Sequence, residues 1–168
     1  MDFIKQSERR RRVMDFLVRK VNLDEIETVF AVTAEAYLHP YDSEDKVISA
    51  VNENSKLTES VESGDINIFV AVIDDKIIGA VRYVTKDDIT HLSKLVVLKD
   101  YRNKGIAKEL VRMVELEAKK LNSTKVTLDF MQEKNLRPYY EKLGYTVTEI
   151  REHGNHHDVF AEKNLIKT

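Results

Sequence analysis

Two apolar strands flanking a basic loop and a long amphipathic helix constrain the fold of this chain more than any other feature. Residues 95–98 are apolar, a basic loop follows, and Gly105 opens the helix. Steps of three and four between apolar residues predict one buried helix face, made of Ile106, Leu110, Val114, Ala118 and Leu121. Residues 125–131 are predicted to form the second strand. Because a whole helix separates the two strands, they must run parallel in one sheet.

The rest of the chain adds further strands and helices to this parallel unit. Strands are predicted at 13–21, 66–73, 77–85, 89–98, 125–131, 146–152 and 158–164, and helices at 24–38, 43–63, 105–121 and 135–143. The short charged turn at 74–76 indicates an antiparallel hairpin. The order β α α β β β α β α β β therefore predicts an α/β (α+β) fold, with a mixed, mostly antiparallel sheet and helices on both faces.

Length and composition favour one domain. The 168 residues, 42% of them hydrophobic, can bury a single core, so we expect one domain over 1–168 with an N-terminal tail or helix at 1–12. No apolar run approaches the roughly 18 residues of a membrane span, and no secretory signal is visible, so no membrane partner is expected. The absence of cysteine excludes disulfides and a cysteine nucleophile, and it favours a cytoplasmic location.

The charge of the chain argues against a nucleic-acid partner. The formal net charge is −2, and the run from Arg9 to Arg12 is the one conspicuous basic block. We interpret this block as part of a solvated N-terminal segment. Its alternative is a patch for nucleic acid or for a membrane surface, which one short run without aromatic residues supports weakly.

The basic loop before the long helix has the features of an anion site. A helix start offers free backbone N–H groups and the positive end of the helix dipole. Arg102, Lys104 and Lys108 add positive charge there. This combination suits a diphosphate. The alternative is an ordinary strand–turn–helix unit that binds nothing, and a nucleotide P-loop is disfavoured because no Gly-Lys-Ser/Thr follows.

Two motifs carry a resemblance to a known family. The pattern Arg102-x-x-Gly105-x-Ala107 resembles the (Gln/Arg)-x-x-Gly-x-(Gly/Ala) signature of the GNAT family of N-acetyltransferases. The run from Pro138 to Tyr145 is similar to that family's Phe-Tyr-x-Lys-x-Gly-Phe/Tyr box. The resemblance implies the GNAT fold, with the sheet splayed between strands 4 and 5. It also implies acetyl transfer from acetyl-CoA, as a co-substrate and without a metal, to a primary amine of a small molecule or peptide.

The resemblance further implies a set of contacts to acetyl-CoA, with the pantetheine arm on the fourth strand and the diphosphate on the loop amides. Carried over by position, these contacts are Leu95, Val96, Val97, Arg102, Asn103, Lys104, Gly105, Ile106, Ala107, Lys108, Asn135 and Tyr140. The chain departs from the family pattern at Asn103, where glycine is common, and at Lys99, where proline is common. Asparagine often stands seven residues before the tyrosine that Tyr140 matches, a position that Glu133 occupies here, whereas Asn135 stands five residues before Tyr140.

The same resemblance makes Tyr140 the candidate general acid, which would protonate the departing CoA thiolate. The alternative role of Tyr140 is that of an aromatic side chain packed under the CoA arm. The attacking amine must lose a proton, and His91 and Asp129 are rival candidates for the base. Strand alternation predicts that His91 shares a face with Ser93, Leu95 and Val97.

The acceptor side is less defined. In the family, the groove is formed by the first two helices and the last hairpin. Here the helices and their loop carry the acidic and aromatic residues Glu35, Tyr37, His39, Tyr41, Asp42, Glu44 and Asp45, which favour a cationic amine. The cluster of His153, His156, His157 and Asp158 also suggests a metal, but a hairpin turn is favoured and no metal is expected. His157 is instead a candidate contact to the acceptor.

A second class of function is a binding module that holds acetyl-CoA as a sensor or assembly partner without catalysis. Tyr140 favours an enzyme, because a pure binder has no need of a phenol at that position. Members of the family are often dimers, which makes a homodimer one assembly open to this chain.

Overall fold

The computed structural model describes residues 15–37 and 54–165. Its strands are β1 (Leu17–Lys20), β2 (Asn67–Ile73), β3 (Lys76–Lys86), β4 (Ile89–Val97), β5 (Lys125–Met131), β6 (Thr146–His153) and β7 (His156–Asn164). Its helices are α1 (Ile26–Tyr37), α2 (Asn54–Glu62), α3 (Ile106–Lys120) and α4 (Arg137–Lys142), with short 3-10 turns at Leu23–Glu25, Lys99–Tyr101 and Gln132–Lys134. This succession confirms the predicted order of elements.

The strands of the described residues form one mixed sheet in the order β1-β2-β3-β4-β5-β7-β6. β4 and β5, which α3 separates in the chain, are parallel, and the other neighbouring strands are antiparallel. Residues 77–83 of β3 are all buried, because helices cover both faces at the centre of the sheet, where α1 and α3 contact β3. The predicted fold class is therefore confirmed.

α3 packs on the sheet through the predicted face, with one exception at its end. Leu110, Val114 and Ala118 are fully buried, and Ile106 is nearly so. Leu121, predicted in the same stripe, is 47% exposed. The helix ends at Lys120, so Leu121 lies past the last helical residue and no longer follows the stripe.

Close packing between β3, β4 and α3 depends on Gly79. An added Cβ at this position would lie 2.9 Å from the carbonyl oxygen of Val96 and 3.5 Å from the side chain of Leu110. A side chain there would therefore push β4 or α3 away from the sheet. None of the helices in the described ranges is long and apolar enough to cross a lipid bilayer.

A bulge in β4 changes which of its residues share a face. Lys94 has a φ of +51°, and the register with β3 shifts by one residue between Ser93 and Val96. Val96 consequently shares a face with His91 and Ser93, whereas Val97 lies on the face that α3 covers. The predicted placement of Val97 beside His91 is wrong, because the extra residue breaks the period of two.

The first helix begins with a 3-10 turn, Leu23–Glu25, rather than directly at residue 24. A capping box between Asn22 and Glu25 fixes this start. Both carboxylate oxygens of Glu25 also accept hydrogen bonds from Arg19 at 2.8 Å. These bonds lower the pKa of Glu25 to about 2.

Several predicted features lie outside the described residues. They are the arginine block, the first residues of the first strand, and most of the proposed acceptor rim, which includes His39, Tyr41, Asp42, Glu44 and Asp45.

Leu110→Ala should lower the free energy of unfolding by about 2–5 kcal/mol, because its side chain is fully buried between α3 and the sheet. Leu116→Ala on the same helix is the matched control. Leu116 is exposed, so its loss should stay below about 1 kcal/mol. Urea denaturation followed by circular dichroism measures both values. Equal losses would contradict the assignment of the buried face.

Candidate active site

β4 and β5 part before either strand ends. Their parallel pairing runs from Ile89 opposite Lys125 to Leu92 opposite Leu128 and stops there. β4 nevertheless continues to Val97, and β5 continues beyond Leu128 as well. The facing edges of these last segments are not paired with each other. They therefore leave backbone N–H and C=O groups with which an extended ligand can form hydrogen bonds.

The loop after β4 presents the start of α3 to the end of this gap. Asn103 and Gly105 both have positive φ values, +63° and +80°. Asparagine tolerates this conformation better than most residues, which accounts for its place in the loop. No side chain in the described part of the chain caps α3, so its first-turn N–H groups remain available to a ligand. An added Cβ at Gly105 would meet no heavy atom within 4 Å, so the space beside it is open.

Arg102 ties this loop to the end of β4. Its Nε donates a hydrogen bond to the carbonyl oxygen of Val97 at 3.0 Å. Lys104 Nζ lies 5.6 Å from the ring centroid of Tyr101, and Lys76 Nζ lies 5.8 Å from the same ring. Arg102 therefore fixes the shape of the loop, while Lys104 brings an exposed positive charge close to the start of α3.

Tyr140 lies on α4, which starts with a proline in its first turn. The ring of Tyr140 is buried and stacks on Phe130 of β5, with centroids 5.0 Å apart. Tyr139 and Tyr145 pack edge-on against it at 5.3 and 6.1 Å. These contacts hold the second motif directly against β5, which is one side of the gap.

Tyr145 anchors the end of the same motif to α3. Its hydroxyl donates to Glu115 at 3.1 Å, and Lys163 of β7 donates to the same carboxylate at 3.0 Å. Burial, together with the nearby Glu115 charge, raises the pKa of the Tyr145 phenol far above its usual value. Tyr145 is therefore a neutral structural donor that connects the motif to α3 and β7.

The two rival bases form a hydrogen-bonded pair. His91 Nε2 lies 3.2 Å from Asp129 Oδ1, and His91 Nδ1 lies 2.8 Å from the hydroxyl of Thr127. His91 belongs to the paired part of β4, whereas Asp129 is the first residue of β5 beyond the last pair. The side chains of His91 and Asp129 are 43% and 42% exposed. The pair therefore lies at the point where the strands separate and remains open to solvent.

Tyr140 and the histidine–aspartate pair lie on opposite faces of the sheet. Leu128 pairs with Leu92, and Leu92 faces α3, so alternation places Phe130 on the α3 face and Asp129 on the other. Tyr140 stacks on Phe130 and therefore lies on the α3 face as well. A group held in the gap can therefore be approached from both faces.

Glu133 makes contacts that the sequence pattern did not indicate. It accepts hydrogen bonds from the backbone N–H and from Nδ1 of His157, both at 3.0 Å, and these lower its pKa below the ordinary value. The register of β7 places His157 on the face of Tyr140, and His156 and Asp158 on the face of His91. His157 and the pair of His91 and Asp129 therefore lie on opposite faces of the sheet. The 3-10 turn that contains Glu133, Gln132–Lys134, ends at Asn135, which has a φ of +54°.

The histidine-rich hairpin turns at Gly154 and Asn155 as predicted. His156 Nε2 lies 3.4 Å from Asp158 Oδ1, and the rings of His153 and His156 are 5.1 Å apart. Within residues 15–37 and 54–165, no three histidine or acidic side chains converge in a way that could hold a metal ion.

The chain is similar to solved acetyltransferase structures. It aligns with the PaiA N-acetyltransferase of Thermoplasma acidophilum, solved with coenzyme A, at 23% identity and a TM-score of 0.78, covering 90% of this chain and 100% of that one. An aminoglycoside 6'-N-acetyltransferase, also complexed with coenzyme A, aligns at 15% identity and a TM-score of 0.71, covering 90% and 98%. The ribosomal-protein-alanine N-acetyltransferase of Brucella melitensis aligns at 16% identity and a TM-score of 0.69, covering 89% of this chain and 99% of that one. At these identities the likeness shows a common fold.

The family itself is shown by the sequence. Residues 31–160, well over half of the chain, match the family model described as the acetyltransferase (GNAT) domain. No curated protein matches the chain by sequence. The matched range contains β2 to β6, the loop before α3 and the motif around Tyr140. The chain therefore belongs to the GNAT acetyltransferase family.

Proposed function

We propose that this acetyltransferase transfers the acetyl group of acetyl-CoA to a primary amine of a small molecule or peptide. The amine attacks the thioester directly, and the chain has no cysteine to carry an acyl group in between. The observation that carries the proposal is a track made of two stretches of unpaired backbone, the open gap between β4 and β5 and the uncapped start of α3, with the turn Lys99–Tyr101 between them.

The track suits the two chemically different parts of acetyl-CoA. The pantetheine arm contains amides, which can pair with backbone groups of Leu95 and Val97 in the gap. The diphosphate would bind the N–H groups of residues 103–108, helped by the charges of Lys104 and Lys108. Asn135 would add a contact from the loop before α4. Acetyl-CoA itself supplies the activated acyl group.

Tyr140 is the proposed general acid. Its hydroxyl would donate a proton to the departing sulfur, so that CoA leaves as a neutral thiol. The stack on Phe130 supports this role, because it restricts the ring to a position beside the β5 side of the gap. A phenol that is already fixed in place before the substrates bind loses less conformational entropy in the transition state.

His91 and Asp129 are proposed to act together as the base. With a neutral imidazole, Nε2–H donates to Asp129 and Nδ1 accepts from Thr127, so both ring nitrogens are occupied. Among the described residues, the carboxylate of Asp129 has no hydrogen-bond partner besides His91. The proton lost by the amine would therefore reach the pair through the free carboxylate oxygen, directly or through a water molecule.

An amine acceptor also suits the charge of the face that carries His91. Register places Asp129 and Asp158 on this face, and Glu35 of α1 is a predicted rim residue that the structure describes as exposed. These carboxylates favour a cationic amine over an anionic acceptor. Release of CoA thiol with a diamine, a lysine amide and a peptide with a free N terminus tests the function. Binding of acetyl-CoA without release for any amine would favour the non-catalytic sensor.

Gly105→Ala should weaken CoA binding at least about tenfold, because the new methyl group enters the open space where the diphosphate would lie. Gly64→Ala is the matched control, since Gly64 also has a φ of +80° and open space around it. Both variants should lose similar stability, but only Gly105→Ala should bind CoA more weakly in calorimetry. Equal affinities would contradict the proposed diphosphate site.

Tyr140→Phe should lower kcat at least about tenfold with little change in CoA affinity, because the ring remains while the acidic hydroxyl is lost. Tyr139→Phe removes a hydroxyl from the neighbouring, half-exposed ring and should leave kcat unchanged. Steady-state kinetics and calorimetry provide the two quantities. Unchanged turnover in Tyr140→Phe would remove the proposed acid role.

Asp129→Asn should lower kcat/KM at pH 7 about tenfold or more, because the pair can no longer accept the proton of the amine. The deficit should shrink toward pH 10, because a primary amine of pKa about 10.4 is then partly neutral in solution and needs less help from a base. Glu162→Gln, a change on the same face and the neighbouring strand, is the control. A deficit that stays constant with pH would argue against a role as base.

A further inference from the structure

We propose that Glu133 is a positioning residue for Tyr140, and that it acts by clamping the loop between β5 and α4 onto His157 of β7. This inference rests on the proposed role of Tyr140 as general acid. It adds a residue whose contacts lie outside both family motifs.

The clamp consists of two hydrogen bonds to one carboxylate. Glu133 Oε1 accepts from the backbone nitrogen of His157 at 3.0 Å and from its Nδ1 at 3.0 Å, and Oε2 lies 3.3 Å from the same backbone nitrogen. Because an ionised carboxylate only accepts, Nδ1 must carry a proton. The backbone ladder between β5 and β7 ends with Met131 opposite Asp158. The bond from the backbone N–H of His157 to the Glu133 carboxylate therefore lies directly beyond the last backbone pair of the ladder.

A short connection leads from the clamp to Tyr140. The turn Gln132–Lys134 ends at Asn135 in a left-handed conformation, and α4 follows at Arg137. The backbone N–H of Tyr140 then donates to the carbonyl of Leu136 at 3.1 Å. Such a chain of turns leaves little freedom between Glu133 and α4.

Residues 130–140 form a loop that closes on itself and is fixed at one intermediate point. Its two ends meet where the ring of Tyr140 stacks on Phe130. Glu133 attaches its middle to β7, on the same face of the sheet as Tyr140. Without this attachment, Phe130, Tyr139 and Tyr145 would still contact the ring, but the loop that leads to α4 would be fixed only at its two ends. The clamp therefore defines where the hydroxyl of Tyr140 lies along the gap.

The exposure of the pair separates this role from a contribution to stability. The side chains of His157 and Glu133 are 45% and 44% exposed. Exposed pairs of this kind contribute little to the free energy of unfolding. A misplacement of a catalytic group by about 1 Å can nevertheless slow a reaction about a hundredfold. Loss of the clamp should therefore change turnover much more than melting temperature.

The test compares Glu133→Ala with Glu133→Gln, using acetyl-CoA and the panel amine that releases CoA thiol fastest. Glu133→Ala should lower kcat at least about fivefold, with KM for acetyl-CoA within about twofold and Tm within about 3 °C of the parent protein. Glu133→Gln should keep kcat within about twofold, because the amide oxygen still accepts both hydrogen bonds. Glu141→Ala removes an exposed pair with Arg137 on α4 and should change none of these values.

His157 variants check the other half of the clamp. His157→Ala should lower kcat less than Glu133→Ala, because the backbone N–H of residue 157 still reaches the carboxylate. His157→Asn should restore kcat, since its side-chain amide can replace Nδ1–H as the donor. A full loss of kcat in His157→Asn would contradict a role limited to clamping.

A double-mutant cycle decides whether the clamp acts through Tyr140. In a Tyr140→Phe background, Glu133→Ala should lower kcat less than about twofold, because the hydroxyl that the clamp positions is gone. The same loss in both backgrounds, or unchanged turnover of Glu133→Ala alone, would overturn the clamp while leaving the acetyltransferase function intact. Full activity of Tyr140→Phe alone would instead overturn the general-acid role on which the clamp depends.

Discussion

The interruption of backbone pairing between β4 and β5 is the constraint on which the rest of the structure depends. The strands pair only as far as Leu92, although both continue. The bulge at Lys94 redirects β4, and the bond from Arg102 to the carbonyl of Val97 holds its end. The gap is therefore built by contacts within the chain. Backbone groups along it still require partners, which an extended amide-containing ligand supplies.

The other parts of the site are arranged around this gap and belong to different elements. The uncapped start of α3 lies at the end of β4, Tyr140 approaches from the α3 face, and His91 with Asp129 approaches from the opposite face. Phe130 fixes the ring of Tyr140, and Thr127 fixes the ring of His91, before any substrate binds. A site preorganised in this way needs little rearrangement when substrates bind. It also separates the proposed acid from the proposed base by the thickness of the sheet.

Much of the fold followed from local pattern, and most of the site did not. The stripe through Leu110 and Val114 predicted α3, and the length of that helix required a parallel pair, because both depend on residues close in sequence. The bulge at Lys94 had no such signal. No glycine or asparagine marks it, and only the register between β3 and β4 reveals it. The contact between Glu133 and His157 depends on strand register, which tertiary packing decides.

The central claim is that coenzyme A lies in the gap and against the start of α3. Amide hydrogen exchange, followed residue by residue by NMR at saturating CoA, tests it most directly. The account predicts slower exchange at Leu95, Val97 and residues 103–108, with no change in the β3–β4 turn at Asp87 and Asp88. Unchanged exchange in the first two segments would contradict it.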